Sequence, residues 1–252
     1  MRRRTTANIV SSIPSEFIII VKTDNAGTSN SDQFTIPTTG TGYNYNVSTD
    51  DGYSATGLTG DHTITFPTGA GTHEVYISGD FPRIYFNDGG DRLKLLDITN
   101  WGIYGIGSTS QASAFYGCSN LVINATDVGY FENVTDFSRS WRNCSSLTSF
   151  PLIDTSSGTS FFRTWRDCES LTSFPANAFD TNIATDYTDA FSITNLSTQS
   201  IDDILVSLDT SGVSNGTFTQ SGGNAPSATG QAAIVSLVAK GWTITVTGGY
   251  TP

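Results

Sequence analysis

The sequence predicts a mixed β and α/β protein: an N-terminal β-sandwich, a short repeat solenoid and an α/β C-terminal cap. Three observations carry that expectation. Short β-rich runs separated by turn residues fill residues 16–90, an aromatic–Cys–Leu pattern recurs after residue 91, and helical spacing returns from about residue 197.

Residues 1–15 read as an N-terminal arm with three arginines, small polar residues and Pro14. No apolar periodicity ties it to a core. Arg2, Arg3 and Arg4 oppose the sign of the rest of the chain, and they are expected to anchor it to an acidic surface of a partner subunit or of a second copy of itself. Residues 16–90 are expected to form an Ig-like β-sandwich. Its strands are expected at Phe17–Lys22, Gln33–Pro37, Tyr43–Thr49, His62–Phe66, His73–Ser78 and Ile84–Phe86. Turn signals such as Asp50-Asp-Gly52 and Pro67-Thr-Gly69 separate them.

The repeat starts at Ala114-Phe115-Tyr-Gly-Cys118-Ser-Asn-Leu121. It returns as Ser140-Trp141-Arg-Asn-Cys144-Ser-Ser-Leu147, then as Thr164-Trp165-Arg-Asp-Cys168-Glu-Ser-Leu171, and in degenerate form at Ala190-Phe191 to Leu196. The aromatic positions 115, 141, 165 and 191 are 26, 24 and 26 residues apart. A second aromatic column is Phe137, Phe161 and Tyr187, and Leu-Thr-Ser-Phe-Pro occurs twice, at Leu147–Pro151 and Leu171–Pro175. One unit of about 25 residues cannot bury its own apolar face, so units must stack. The period lies in the range of leucine-rich repeats, so a leucine-rich-repeat solenoid is expected over 91–252, with its cap from about 197. Within the cap, Ile201, Ile204, Leu205 and Leu208 give a helix over Ser200–Leu208. A second helix is expected in Pro226–Lys240, capped by Ser227 or Thr229 and stopped by Gly241. Strands are expected at Gly216–Gln220 and Trp242–Thr247.

The motif Phe/Trp-x-x-Cys-x-x-Leu-Thr-Ser-Phe-Pro resembles the BspA-like leucine-rich repeat surface proteins. The stretch from Ser200-Ile-Asp-Asp-Ile through Gln220-Ser-Gly-Gly, Lys240-Gly-Trp242 and Gly248-Gly-Tyr250 is similar to the C-termini of bacteriophage-encoded members. One departure is Ser48-Thr-Asp-Asp-Gly52, where that family usually has Trp-Gly-Asp-Gly. The resemblance covers about residues 16–252. It implies surface display, adhesion or virion structure, and it carries no catalytic residue to transfer.

Composition narrows the function classes. Only 14% of the 252 residues are charged, and Ser and Thr together number 68. A net charge of −11 argues against nucleic acid, which needs a basic stripe, and against anionic membrane. The longest apolar run, Phe17–Val21, is too short to cross a bilayer, and the residues after Arg4 are no signal-peptide core, so synthesis in a host cytoplasm without export is expected. With two His (His62, His73), three Cys and one Met there is almost nothing from which to build a His-based metal site or a nucleophile relay. No enzyme, no cofactor and no metal are expected. The Asp-Gly turns at Asp50-Asp51-Gly52 and Asp88-Gly-Gly-Asp91 could offer calcium oxygens but match no complete loop pattern. Cys118, Cys144 and Cys168 read as free, buried thiols in one column. Adjacent Asp202-Asp203 point apart on a helix and are expected to favour its N-terminal end. Trp141 and Trp165 could form a ligand platform, although their place in one repeat column favours the core. The function expected is a non-enzymatic bacteriophage virion surface protein, as a decoration, fibre-like or host-attachment module. It would form homo-oligomers or meet other virion subunits and engage a cell-surface glycan or protein receptor. The alternative is a bacterial cell-surface adhesin of the same repeat family.

Overall fold

The computed structural model describes residues 16–252. The arm with Arg2, Arg3 and Arg4 lies outside the described residues.

The architecture expected from sequence is corrected. The chain is mostly β with two short helices, arranged as three sheets with no closed barrel. Its strands are β1 (Phe17–Lys22), β2 (Gln33–Ile36), β3 (Asn44–Thr49), β4 (Ser54–Leu58), β5 (His62–Thr65), β6 (Thr72–Asp80), β7 (Leu95–Asn100), β8 (Val122–Ile123), β9 (Asp186–Phe191), β10 (Thr217–Gln220) and β11 (Thr243–Thr245). The helices are α1 (Thr198–Thr210) and α2 (Ala228–Ala239). A mixed six-stranded sheet runs β4-β3-β6-β1-β7-β8, so it continues past residue 90. β2 pairs only with β5, and β11-β10-β9 form a parallel sheet.

β1 is central because it is β-branched on both faces. Phe17, Ile19 and Val21 are fully buried, and the strand pairs antiparallel with β6 on one side and β7 on the other. The register places Ile19 opposite both Val75 and Ile98. Phe34, Ile36 and Ile64 from the two-stranded sheet join the same core.

A buried ion pair ties the β1–β2 connection to this sheet. Lys94 Nζ lies 2.8–3.1 Å from Ser29 O, Ser29 Oγ, Asn30 O and Gln33 O. The Asp91 carboxylate accepts from Thr28 N, Ser29 N, Ser29 Oγ and Thr35 N at 2.6–2.9 Å. Desolvation opposes the charge on Asp91, but these donors outweigh it and keep the carboxyl below its ordinary range. Burial pulls Lys94 down against the attraction of Asp91. Gly27 is required here, because a Cβ would stand 2.5 Å from Asp91 Oδ1.

The repeat copies lie side by side, joined by backbone bonds rather than by long strands. Gln111, Ser113, Phe115 and Gly117 donate their N–H groups to the carbonyls of Asp136, Ser138, Ser140 and Arg142 at 2.7–2.9 Å. The next copy repeats this from Phe137, Arg139, Trp141 and Asn143, and the third from Phe161, Arg163, Trp165 and Asp167. Between these rungs each copy turns tightly. The positions 113, 139, 163 and 189 all have φ between 55° and 58°, and 143, 167 and 193 lie at 60–63°. A left-handed non-glycine residue costs roughly 1–2 kcal/mol, so each copy depends on the rungs to hold it. This kinking is why most of the repeat forms single bridges and not strands, and why a regular solenoid of strands is not what the chain builds.

Side chains follow the same register. Phe115, Trp141, Trp165 and Phe191 stack at centroid distances of 6.0, 6.1 and 4.9 Å. Phe137, Phe161 and Tyr187 stack at 5.1 and 4.9 Å. Leu121, Leu147 and Leu171 are fully buried.

Other expectations shift locally. Ile84–Phe86 is not a strand; Phe86 N and Asp88 N donate instead to Ala114 O and Tyr116 O, giving the first copy its preceding rung. β4, β7, β8 and β9 lie outside the strands expected from sequence. Ser197 caps α1 by accepting from Ser200 N, and Ser227 caps α2 by accepting from Thr229 N.

Leu171→Ala should destabilise the protein by about 2–5 kcal/mol through lost burial plus a cavity, measured by chemical denaturation. A loss below about 1 kcal/mol would mean that the leucine column does not carry the packing assigned to it.

Candidate functional site

The groups expected to be chemically quiet are placed as follows. Asp202 is buried, and its carboxylate accepts from Ser227 N at 3.0 Å and from Ser227 Oγ. It therefore serves the start of α2, not the N-terminal end of its own helix. Gly230 allows this approach, since a Cβ there would meet Asp202 Oδ1 at 2.3 Å. Asp203 is half-buried and accepts from Gln199 Nε2 at 2.8 Å. The two carboxylates thus have separate partners. His62 Nε2 lies 2.6 Å from the Tyr53 hydroxyl. His73 is buried and stacks on Phe66 at 4.0 Å. Asp88 pairs with Arg92 at 3.1 Å, and Asp91 is consumed by the ion pair with Lys94.

Cys118, Cys144 and Cys168 are free and buried. Cys144 Sγ donates to Phe115 O at 3.3 Å and Cys168 Sγ to Trp141 O at 3.1 Å, so each thiol caps a carbonyl of the preceding copy. Burial pushes all three thiols up, Cys168 to about 12. A thiol held in that range supplies almost no thiolate nucleophile at neutral pH.

Trp141 and Trp165 offer no platform to a ligand. Both are fully buried, with their rings 6.1 Å apart and inclined by only 5°. The faces a ligand would need are occupied by Phe115 and Phe191. Burial of the aromatic column outweighs any surface use of it.

The repeat instead presents arginines. Four of the six arginines in residues 16–252 occupy two repeat columns, Arg139 with Arg163 and Arg142 with Arg166. Arg139 and Arg163 both lie over the Phe162 ring, at 5.1 and 4.6 Å, and Arg142 lies over Tyr116 at 5.0 Å. Asp167 pairs with Arg142 at 3.3 Å, and Asp189 pairs with Arg163 at 3.2 Å and with Arg166. Arg139 has no carboxylate partner among the described residues. Four guanidinium groups thus gather around Asp167 and Asp189 on a chain of net charge −11. Stacking and pairing also fix the guanidinium planes, which lowers the ordering cost of a bidentate contact with a carboxylate or phosphate. The aromatic-stacked arginines were missed from sequence, although their 24-residue spacing, Arg139 to Arg163 and Arg142 to Arg166, carried the signal.

A cleft of about 510 Å³ opens where the β2–β3 loop meets the first repeat copy, walled by Tyr43, Asp80, Arg83, Ile106, Ser108 and Ser110. Arg83 is engaged at its floor, with Nη1 donating at 3.2 Å to Ser110 O, Ser110 Oγ and Ala112 O while its guanidinium covers Tyr85. The cleft is lined by loops and hydroxyls and gathers no acid–base pair.

Comparison with family models, with curated proteins and with solved structures found no match to this chain.

Thiol titration with an aromatic disulfide should leave the native protein unmodified and count three groups after unfolding. Fast reaction of Cys168 in the native state would contradict its burial.

Proposed function

We propose that this chain is a non-enzymatic surface protein of a bacteriophage particle, and that its repeat holds an arginine-bearing face against an acidic polymer of the host envelope. The observation that supports this reading is the stacking of Arg139 and Arg163 over Phe162 and of Arg142 over Tyr116, with Arg166 beside them, in a chain of net charge −11. Guanidinium groups fixed in a plane recognise carboxylate or phosphate groups bidentately. Aromatic rings beneath them add apolar area for the body of a sugar. Hydroxyl-rich, weakly charged surroundings keep the remainder of the surface hydrated. The resemblance to phage-encoded BspA-like surface proteins supports the particle as its location. Among the described residues the two histidines, Asp202, Asp203, Cys144 and Cys168 each have a structural partner, which supports a non-catalytic reading.

An antibody against the chain should label intact particles of the phage that encodes it. Purified protein should bind polygalacturonate more tightly than neutral dextran, and the binding should fall steeply with salt. Arg139→Ala combined with Arg142→Ala should weaken the polyanion binding about tenfold, equivalent to about 1.4 kcal/mol. Particles that lack the chain, or polyanion binding unchanged in the double variant, would overturn the proposal.

A further inference from the structure

The turn that follows β3 brings Asp50 and Asp51 against His73 of β6. Their ligand atoms all lie within 4.8 Å of one another. His73 Nδ1 is 3.6 Å from Asp50 Oδ1 and 3.8 Å from Asp51 Oδ2, too far for hydrogen bonds. The other ring nitrogen decides what Nδ1 can do. Nε2 lies 3.0 Å from the Gly69 carbonyl, which only accepts, so Nε2 carries the proton. With Nε2–H engaged by Gly69 O, Nδ1 is the ring nitrogen that faces the two carboxylates. His73 is only 6% exposed, Nδ1 has no hydrogen-bond partner, and among the described residues no Lys or Arg pairs with either carboxylate.

Two carboxylate oxygens and Nδ1 facing one another make a site for positive charge, whether a proton on Nδ1 or a metal ion held between all three. We propose that Asp50, Asp51 and His73 Nδ1 bind a divalent transition metal ion of the zinc class. One imidazole with two carboxylates suits a borderline ion better than calcium, which prefers oxygen ligands alone. The observed spacings suit bonds of about 2.0–2.2 Å from each ligand to a shared ion. The surroundings fix the ligands in place. The Nε2–H bond to Gly69 O orients the ring, as a carbonyl behind a metal-bound histidine does, and Phe66 stacks beneath it. Asp51 accepts from Thr49 Oγ1 through one oxygen and from Thr68 N and Oγ1 through the other. A carboxylate has about four lone-pair sites; Thr68 takes the two on Oδ2, so the one that remains for an ion is on Oδ1. Asp50 keeps the site open to solvent, with its side chain 43% exposed. The sequence pointed to oxygen-only calcium binding at Asp50-Asp51-Gly52; the distant His73 changes the class of metal that fits. Binding here would pin the β3–β4 turn to β6, far along the chain from the arginine face, and it is independent of the function proposed above.

Zinc chloride titrated into the metal-free full-length chain tests this. Saturable binding of one ion per chain is expected, with a raised melting temperature. In nitrogen-15 spectra the His73 Nδ1 signal should move while Nε2 stays protonated, and His62 should remain unchanged as an internal control. Asp50→Asn alters an exposed side chain and should fold normally, yet weaken zinc binding at least about tenfold and abolish the thermal shift. His73→Gln should do the same if it folds. Absence of saturable binding, binding insensitive to Asp50→Asn, or a His73 Nδ1 signal unmoved by zinc would each overturn the site.

Discussion

Four alternate amides of each repeat copy, those of residues 111, 113, 115 and 117 in the first, donate to carbonyls of the next, and the rest of the repeat depends on that register. The rungs fix a copy against its neighbour at β-like spacing. Aromatic side chains one period apart then stack face to face, as Trp141 does on Trp165. The left-handed residues at 139, 143, 163 and 167 are held in place by rungs from their own amides. The buried thiols of Cys144 and Cys168 reach the carbonyls of residues 115 and 141 for the same reason. A slip of one residue would break all of these at once.

The same register joins the two ends of the described chain. Upstream, the segment around Phe86 and Asp88 supplies amides to the first copy, and β7 carries the six-stranded sheet into β8. Lys94 and Asp91 sit at that junction, and their buried charges are satisfied by the β1–β2 connection. Breaking one partner of such a pair leaves the other charge uncompensated, at a cost of about 3–5 kcal/mol. Downstream, the last copy becomes β9, the edge strand of a parallel sheet, with α1 and α2 as its crossovers. Asp202 binds the first turn of α2 and so couples the two helices.

Legibility in the sequence followed the strength of periodicity. The 26-, 24- and 26-residue spacing exposed the repeat, and alternation exposed β1, β2, β3, β5 and β6. Helical spacing and Ser caps exposed α1 and α2. β4 was hidden because Ser54–Leu58 is largely exposed and contains Gly57, so it has no inward alternation. The sandwich-plus-solenoid architecture was misjudged because local patterns carry no information on which strands pair. The β1–β7 pairing, which runs one sheet across residue 90, is a contact of high sequence separation. Trp141 and Trp165 illustrate the ambiguity of an aromatic column, which is a platform if exposed and a core if stacked. The arginines beside them carried the same period and were the more informative residues. His73 and Asp50 lie on different elements, so nothing in their spacing announces that they meet.

Amide hydrogen exchange tests the register most directly. The N–H groups of Phe115, Trp141 and Trp165 occupy equivalent rungs in successive copies, and they should exchange slowly with similar opening free energies, as one cooperative unit. Leu171→Ala should lower protection at all three together. Fast exchange at these rungs, or loss of protection at Trp165 with Phe115 unaffected, would show that the copies are not held by a shared ladder.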